Sequence, residues 1–120
     1  MSGTEIVLDG NSLTIEEVVS ICNLDTIVSL SKSSIKSISE SRNMVEEIIS
    51  NGEVVYGINT GFGALSNVTI PKDKLEELQS NLIRSHACGL GEKMDPESVL
   101  MMMLVRANSL AKGFSGARLE

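Results

Sequence analysis

One segment of the sequence combines a reactive side chain with unusual backbone freedom. From Tyr56 to Gly63 it reads Tyr-Gly-Ile-Asn-Thr-Gly-Phe-Gly, with three glycines within seven positions. Core packing does not explain this density, because glycine loses the most conformational entropy on ordering. The segment lacks the Gly-Lys-Ser/Thr ending of a P-loop and the third glycine of a dinucleotide-binding loop. Two interpretations stay open: a plain structural turn, or a mobile lid with a reactive tyrosine at its edge.

His86, the single histidine of the chain, is the second candidate for chemistry. On a helix it would share a face with Leu75, Leu78 and Leu82. It is therefore either a structural histidine that completes this face or a group that binds a ligand. Cys88 lies two residues further on, which points elsewhere on a helix, so we expect no Cys–His nucleophilic pair. One histidine and two cysteines cannot build a four-ligand zinc site without carboxylates, and we expect no metal.

The composition is that of a single soluble domain. The 120 residues are 42% hydrophobic and 22% charged, with a formal net charge of −6. This charge, without a cluster of Lys and Arg, argues against nucleic acid or an anionic membrane as a partner. No apolar run reaches the roughly 18 residues of a membrane span, and the N-terminus lacks signal-peptide features. We therefore expect a cytoplasmic protein.

The elements that must position Tyr56 and His86 alternate between short strands and helices, which predicts an α+β, mainly helical fold with about four helices. Residues 5–8 suit a strand that ends at the turn Asp9-Gly10. Thr14 and Glu17 form a capping box, which predicts a helix over about 15–22. The inward residues of this helix are Val18, Val19 and either Ile21 or Cys22.

The middle of the chain predicts a longer helix and a second strand. The serine-rich residues 29–34 indicate a turn and a helix start, so the helix begins after Ser33 or Ser34 and stops at Asn51-Gly52. Residues 53–56 are a plausible strand. The residues that recur at the helical period are Ile35, Ile38, Arg42, Val45, Ile48 and Ile49.

Two further helices are predicted in the second half. Asp73 with Glu76 repeats the capping pattern after Pro71, and this helix ends at Gly89 and Gly91. Its apolar face comprises Leu75, Leu78, Leu82 and Ile83. Asp95-Pro96 then marks a helix start that runs to Gly113. Its stripe comprises Val99, Leu100, Met103, Leu104, Ala107, Leu110 and Ala111, and the run Met101–Met103 is interpreted as core and interface filling.

The last residues, 114–120, resemble the start of another helix, with Ser115 as the N-cap. The sequence does not complete this helix, so we expect the 120 residues to be a fragment of a longer chain.

The motifs together resemble a known family. Residues 55–65 resemble the N-terminal signature of the aromatic amino acid ammonia-lyases. Residues 82–92 and 106–116 match the same family in the same order, and residues 8–14 are similar to its opening. Within the family, residues 82–92 are most similar to the histidine-specific members. The resemblance covers nearly the whole chain, and three ordered motifs make it highly specific.

The resemblance implies a lyase that removes ammonia from L-histidine to give urocanate, the first step of histidine breakdown, and that forms a homotetramer. It implies that Tyr56 is the catalytic base and that His86 contacts the substrate's ring. The active-site loop would comprise Gly57, Asn59, Thr60, Gly61, Phe62 and Gly63. Free tyrosine has a pKa of about 10, so such a base needs nearby positive charge or hydrogen-bond donors.

The family's cofactor is an electrophilic methylidene-imidazolone that forms by self-cyclisation of an internal Ala-Ser-Gly. This tripeptide does not occur in the sequence, and the nearest string, residues 114–117, has another order. We therefore expect residues 1–120 to be a single N-terminal domain that is inactive alone, with the prosthetic-group domain elsewhere in the lyase.

Two alternatives stay open. One is an ammonia-lyase or aminomutase that acts on tyrosine or phenylalanine, although a polar His86 suits an imidazole or phenol ring better than a phenyl ring. The other is a stand-alone helical interaction module derived from the family. A reading frame that continues past Glu120 into Ala-Ser-Gly would favour the enzyme.

Overall fold

The computed structural model describes residues 4–120, which divide into two compact units. The first unit is the chain up to Asn43 together with Lys93–Glu120, and the second is Met44–Glu92. The described residues form two strands, four α-helices and two short 3₁₀ helices. The predicted α+β, mainly helical class is confirmed. Within residues 4–120, no helix is long and apolar enough to cross a membrane.

The sheet consists of two parallel strands, β1 (Glu5–Leu8) and β2 (Ile27–Leu30). The prediction of β1 is confirmed. The turn predicted over residues 29–34 is wrong for residues 29 and 30, which belong to β2. Ser29 lies within β2, and its hydroxyl donates to the Glu5 carboxylate at 3.2 Å across the sheet. Pairing with β1 therefore outweighs the local preference of serine for turns.

The connection between the strands contains the short helix α1 (Ile15–Ser20). The predicted capping box is confirmed: the Thr14 hydroxyl accepts from the Glu17 amide at 3.2 Å, and the Glu17 carboxylate accepts from the Thr14 amide at 2.8 Å. Val18 packs against the core, but Val19 is exposed, contrary to the prediction. Successive residues of a helix are rotated by about 100° about its axis, so Val18 and Val19 cannot both face the same core.

Helix α2 (Lys32–Asn51) begins slightly earlier than predicted. Ser31 explains the earlier start, because its hydroxyl accepts from the Ser34 amide at 3.0 Å and so caps the helix. Gly52, with φ of +71°, follows the last residue of the helix as predicted. Of the predicted inward residues, Ile38 is buried and Ile35 is exposed.

Helix α3 (Leu75–His86) follows a 3₁₀ turn over Lys72–Lys74. The predicted Asp73 cap is wrong: Lys74 occupies the N-cap position without a side-chain capping bond, because the 3₁₀ turn leads directly into the helix. The helix also ends before Gly89, since Ala87 leaves the helical region at φ −82° and ψ 66°. Ile83, predicted on the apolar face, is exposed.

Helix α4 (Pro96–Leu110) starts where predicted. The Asp95 carboxylate accepts from the Ser98 amide at 2.8 Å, and Pro96 needs no amide partner at the first position. Leu104 on this helix is buried, but Met102 and Met103 are exposed, so they fill no core within the described residues.

The helix start predicted after α4 is wrong, since residues 114–120 form no helix. The backbone of these residues forms hydrogen bonds with side chains of α2 instead. The Gly116 amide donates to the Ser41 hydroxyl at 3.0 Å, and the Arg42 guanidinium donates to the Gly116 carbonyl at 3.3 Å. These long-range bonds replace the local bonds of a helical turn.

The two units are stabilised differently. The first has an aliphatic core of Ile6, Leu8, Leu104 and Ala111. In the described part of the second unit, the buried side chains are the polar ones of Asn59 and Thr60. Both belong to the glycine-rich loop, so hydrogen bonds within this loop organise the unit that carries the candidate site.

Candidate active site

Tyr56 lies at the start of a tight turn over residues 56–58. The Val55 carbonyl closes the turn by accepting from the amides of Ile58 at 3.1 Å and Asn59 at 3.3 Å. Gly57 has a φ of +83°, which other residues adopt only with strain. The Tyr56 side chain is 64% exposed. The turn therefore presents the phenol outward from a defined backbone.

Asn59 holds this turn from the inside. Its side chain is only 6% exposed. The Oδ1 atom accepts from the Val55 amide at 2.9 Å, and Nδ2 donates to the Glu53 carbonyl at 2.6 Å. The strand predicted over residues 53–56 is wrong for this reason: the backbone groups it would offer to a neighbouring strand are bound by the Asn59 amide.

The rest of the loop is closed by its own backbone. The Asn59 carbonyl accepts from the Ile70 amide at 2.8 Å, and the Gly61 amide donates to the Val68 carbonyl at 2.9 Å. Thr60 is buried between these bonds, and its hydroxyl donates to the Gly61 carbonyl at 3.0 Å. A Cβ at Gly61 would lie 2.5 Å from the Leu65 carbonyl oxygen, so no larger residue fits without movement. The loop is thus built as an ordered turn, and its role as a lid stays a prediction.

Phe62 is the aromatic neighbour of Tyr56. The two ring centroids are 6.1 Å apart, with the ring planes at 73°. Aromatic rings favour this edge-to-face arrangement. Phe62 therefore orients the Tyr56 ring, although it lies six positions further along the chain.

His86 is the last residue of α3, and its side chain is exposed. Its Nδ1 atom lies 2.9 Å from both the Leu82 carbonyl oxygen and the Ser85 hydroxyl. The Ser85 hydroxyl itself donates to the Leu82 carbonyl at 2.8 Å. Because a carbonyl can only accept, this geometry assigns the proton of the neutral ring to Nδ1. In this tautomer, the Nε2 atom is the hydrogen-bond acceptor of the ring.

The structure brings Tyr56 into contact with Phe62, while His86 belongs to a different element of the same unit. The Cys88 thiol contacts the His86 backbone carbonyl at 3.6 Å rather than the ring, which agrees with the expectation that no nucleophilic pair forms. Ser85, whose hydroxyl lies 2.9 Å from the His86 Nδ1 atom and orients the ring, was not predicted from the sequence. Its position directly before the histidine, three residues after the carbonyl it binds, was the available signal.

Acidic groups with shifted pKa values lie outside this site. Amide hydrogen bonds from Asn11 and Ser12 lower the pKa of Asp9, and the hydroxyl and amide of Ser98 lower that of Asp95. Both carboxylates stabilise turns or helix starts of the first unit. Across residues 4–120, no cluster of three or more His, Cys, Asp and Glu side chains could hold a metal ion.

Comparison with known proteins defines the family. Residues 13–120 match the aromatic amino acid lyases, and the chain belongs to this family. It is 52% identical over 113 residues to a histidine ammonia-lyase of Geobacillus sp. (strain WCH70). That alignment covers 94% of the chain and 22% of the relative, so the chain spans about a fifth of its relatives' length.

Solved structures agree on the fold. Histidine ammonia-lyase from Trypanosoma cruzi matches with a TM-score of 0.88 and 39% identity, over 97% of this chain and 23% of that one. Tyrosine aminomutase from Streptomyces globisporus matches with a TM-score of 0.88 and 33% identity, over 96% of this chain and 22% of the neighbour. The chain is thus similar to an N-terminal portion of these enzymes.

Proposed function

We propose that the full-length protein containing these residues is a histidine ammonia-lyase, which removes ammonia from L-histidine without oxidation and releases urocanate. The observation that carries the proposal is the exposed Tyr56 phenol on a rigid turn, in a chain about half identical to histidine ammonia-lyases. In this proposal the chain is the N-terminal domain of a cytoplasmic homotetramer.

Tyr56 acts as the base in this proposal. The reaction breaks the Cβ–H and Cα–N bonds of histidine and forms a Cα=Cβ double bond. The ammonia leaves from Cα, and the β-proton moves to the side-chain oxygen of Tyr56. A base must reach this proton within hydrogen-bond distance. The exposure of the phenol and the closed turn beneath it support this role.

His86 selects the ring of the substrate. With its proton on Nδ1, the ring offers Nε2 as an acceptor for an N–H of the substrate's imidazole. The phenyl ring of phenylalanine offers no such donor. The phenol of tyrosine does, so a tyrosine ammonia-lyase or aminomutase is the second candidate, supported by the likeness to tyrosine aminomutase. Histidine is preferred because the histidine ammonia-lyases are the more identical relatives.

No residue of this chain can form the family's prosthetic group, because the sequence contains no Ala-Ser-Gly. In the proposal that tripeptide lies elsewhere in the full-length lyase. The methylidene-imidazolone would supply an electrophile that makes the β-proton removable. The contribution of residues 1–120 is the base, the contact to the ring and the loop that holds both base and Phe62.

The proposal is tested by incubating the purified full-length protein separately with L-histidine, L-tyrosine and L-phenylalanine and quantifying the products. We expect urocanate and ammonia in equal amounts from histidine, with little turnover of the other two. Release of coumarate or β-tyrosine as the main product would favour the second candidate. No product from any of the three would contradict the proposed activity.

A further inference from the structure

We propose that Asn59 is a positioning residue, which holds Tyr56 in the orientation needed for proton transfer. The inference rests on the proposed role of Tyr56 as the base. Asn59 does not reach the phenol itself. It acts through the backbone on both sides of the tyrosine.

The hydrogen bonds of Asn59 fix the backbone on either side of Tyr56. Its side chain binds the Glu53 carbonyl at 2.6 Å and the Val55 amide at 2.9 Å, both before the tyrosine in sequence. Its own amide donates to the Val55 carbonyl at 3.3 Å, which closes the chain around Tyr56. Three groups of one buried residue therefore fix the turn that carries the phenol.

The chemistry at this position requires an amide. One atom must accept from the Val55 N–H while another donates to the Glu53 carbonyl, and among short side chains only asparagine supplies both. Aspartate would keep the acceptor but bring a second oxygen against the Glu53 carbonyl. Alanine would leave both partly buried backbone groups without their side-chain partner, which is unfavourable.

A released turn would affect catalysis more than binding. Tyr56 lies between Val55 and Asn59, so loosening these bonds moves the phenol, whereas His86 lies on α3 and keeps its contacts to Leu82 and Ser85. A displacement of about 1 Å at a reacting group can lower the rate about 100-fold. The loss should therefore appear in kcat, with KM for histidine little changed.

The test uses the full-length lyase with Asn59→Asp and Asn59→Ala, each alone and combined with Tyr56→Phe. Asn108→Ala is the matched control, because the Asn108 Oδ1 atom also binds a backbone amide, that of Gly10 at 2.9 Å, but in the first unit. We expect each Asn59 variant to lower kcat at least about tenfold with KM within about twofold. The Asn108 variant should keep the wild-type kcat. In the Tyr56→Phe background, the Asn59 substitutions should cause no further loss.

The outcomes separate this inference from the proposed function. If Tyr56→Phe abolishes turnover while Asn59→Asp keeps the wild-type kcat, the positioning role is wrong and the base stands. If Asn59→Asp lowers the melting temperature but folded enzyme keeps its kcat, Asn59 is only structural. If Tyr56→Phe keeps full activity, both the base and its positioning residue are wrong. Should Asn59→Ala not fold, Asn59→Asp alone decides, since it keeps the acceptor for the Val55 amide.

Discussion

At the residue scale, the proposed specificity depends on which atom of His86 would face the substrate. The Leu82 carbonyl and the Ser85 hydroxyl occupy Nδ1, so Nε2 is available as an acceptor. An acceptor discriminates between rings that carry an N–H or O–H and rings that do not. In the proposal, this acceptor would let His86 bind a substrate ring rather than only complete a helix face.

The corresponding prediction is that His86→Leu in the full-length lyase shifts preference from histidine towards phenylalanine. In the substituted enzyme, the N–H of the substrate's imidazole has no partner in a dry pocket. An unpaired group of this kind costs about 1–3 kcal/mol, or roughly one to two orders of magnitude in kcat/KM. Phenylalanine has no ring N–H, so its use should improve or stay level. Measuring kcat/KM for both amino acids in both enzymes tests this.

If His86 is only structural, leucine there is neutral or stabilising and both substrates change alike. An unchanged ratio of the two kcat/KM values would thus remove His86 from the substrate site.

Gly61 gives a second prediction at this scale. A Cβ there would lie 2.5 Å from the Leu65 carbonyl oxygen, a backbone atom that cannot rotate away. We expect Gly61→Ala to lower the free energy of unfolding by about 1–3 kcal/mol. The control is Gly89→Ala, because nothing lies within 4 Å of a Cβ there. Urea unfolding of the chain measures both, and equal effects of the two substitutions would contradict the close approach.

The sequence alone predicted part of this site. Tyr56 and the loop stood out because their glycine density has no packing explanation. The central role of Asn59 could not be predicted, because its partners at Glu53 and Val55 were assigned to a strand. Only the folded turn shows that the Asn59 side chain binds both the Glu53 carbonyl and the Val55 amide.

At the element scale, helix α4 depends on a charged cap. Hydrogen bonds from Ser98 lower the pKa of Asp95 from 3.8. A carboxyl group with a lowered folded pKa contributes stability above its unfolded pKa and loses it as pH falls through the folded value. We therefore expect the stability advantage of the wild type over Asp95→Asn to be constant above pH 3.8 and to decline below it.

The measurement is urea unfolding of both chains from about pH 6 to about pH 2. Asparagine caps a helix without titrating, and Asp9, whose pKa is also lowered, is present in both chains and cancels in the comparison. An advantage that grows as the pH falls would show that the ionised Asp95 does not stabilise the helix start.

The helix starts at Thr14 and Asp95 were predicted correctly, whereas the Asp73 cap, strand β2 and the path of residues 114–120 were not. The capping box at Thr14 and the Asp95-Pro96 pair act within one turn, so a short segment encodes them. Strand β2 exists because β1 pairs with it, and residues 114–120 leave the helical path because Ser41 and Arg42 bind Gly116. Such long-range partners are invisible in a local pattern.

At the scale of the whole molecule, the chain contains the proposed base and the proposed ring contact but no Ala-Ser-Gly. Large apolar side chains such as Leu24, Leu90 and Phe114 are almost fully exposed. We expect the isolated 120 residues to show helical circular dichroism but to release no urocanate from histidine, because the electrophile is absent. Urocanate above the buffer blank would contradict this, with the full-length protein as the positive control.

Whether Tyr56 is the base of a histidine ammonia-lyase is tested by the turnover of L-histidine by the full-length wild-type and Tyr56→Phe enzymes. The substitution keeps the ring and its contact with Phe62 while removing the oxygen that accepts the proton. We expect kcat to fall by at least about 100-fold, the scale of general base catalysis, while KM stays within about twofold. A kcat equal to that of the wild type would contradict this role.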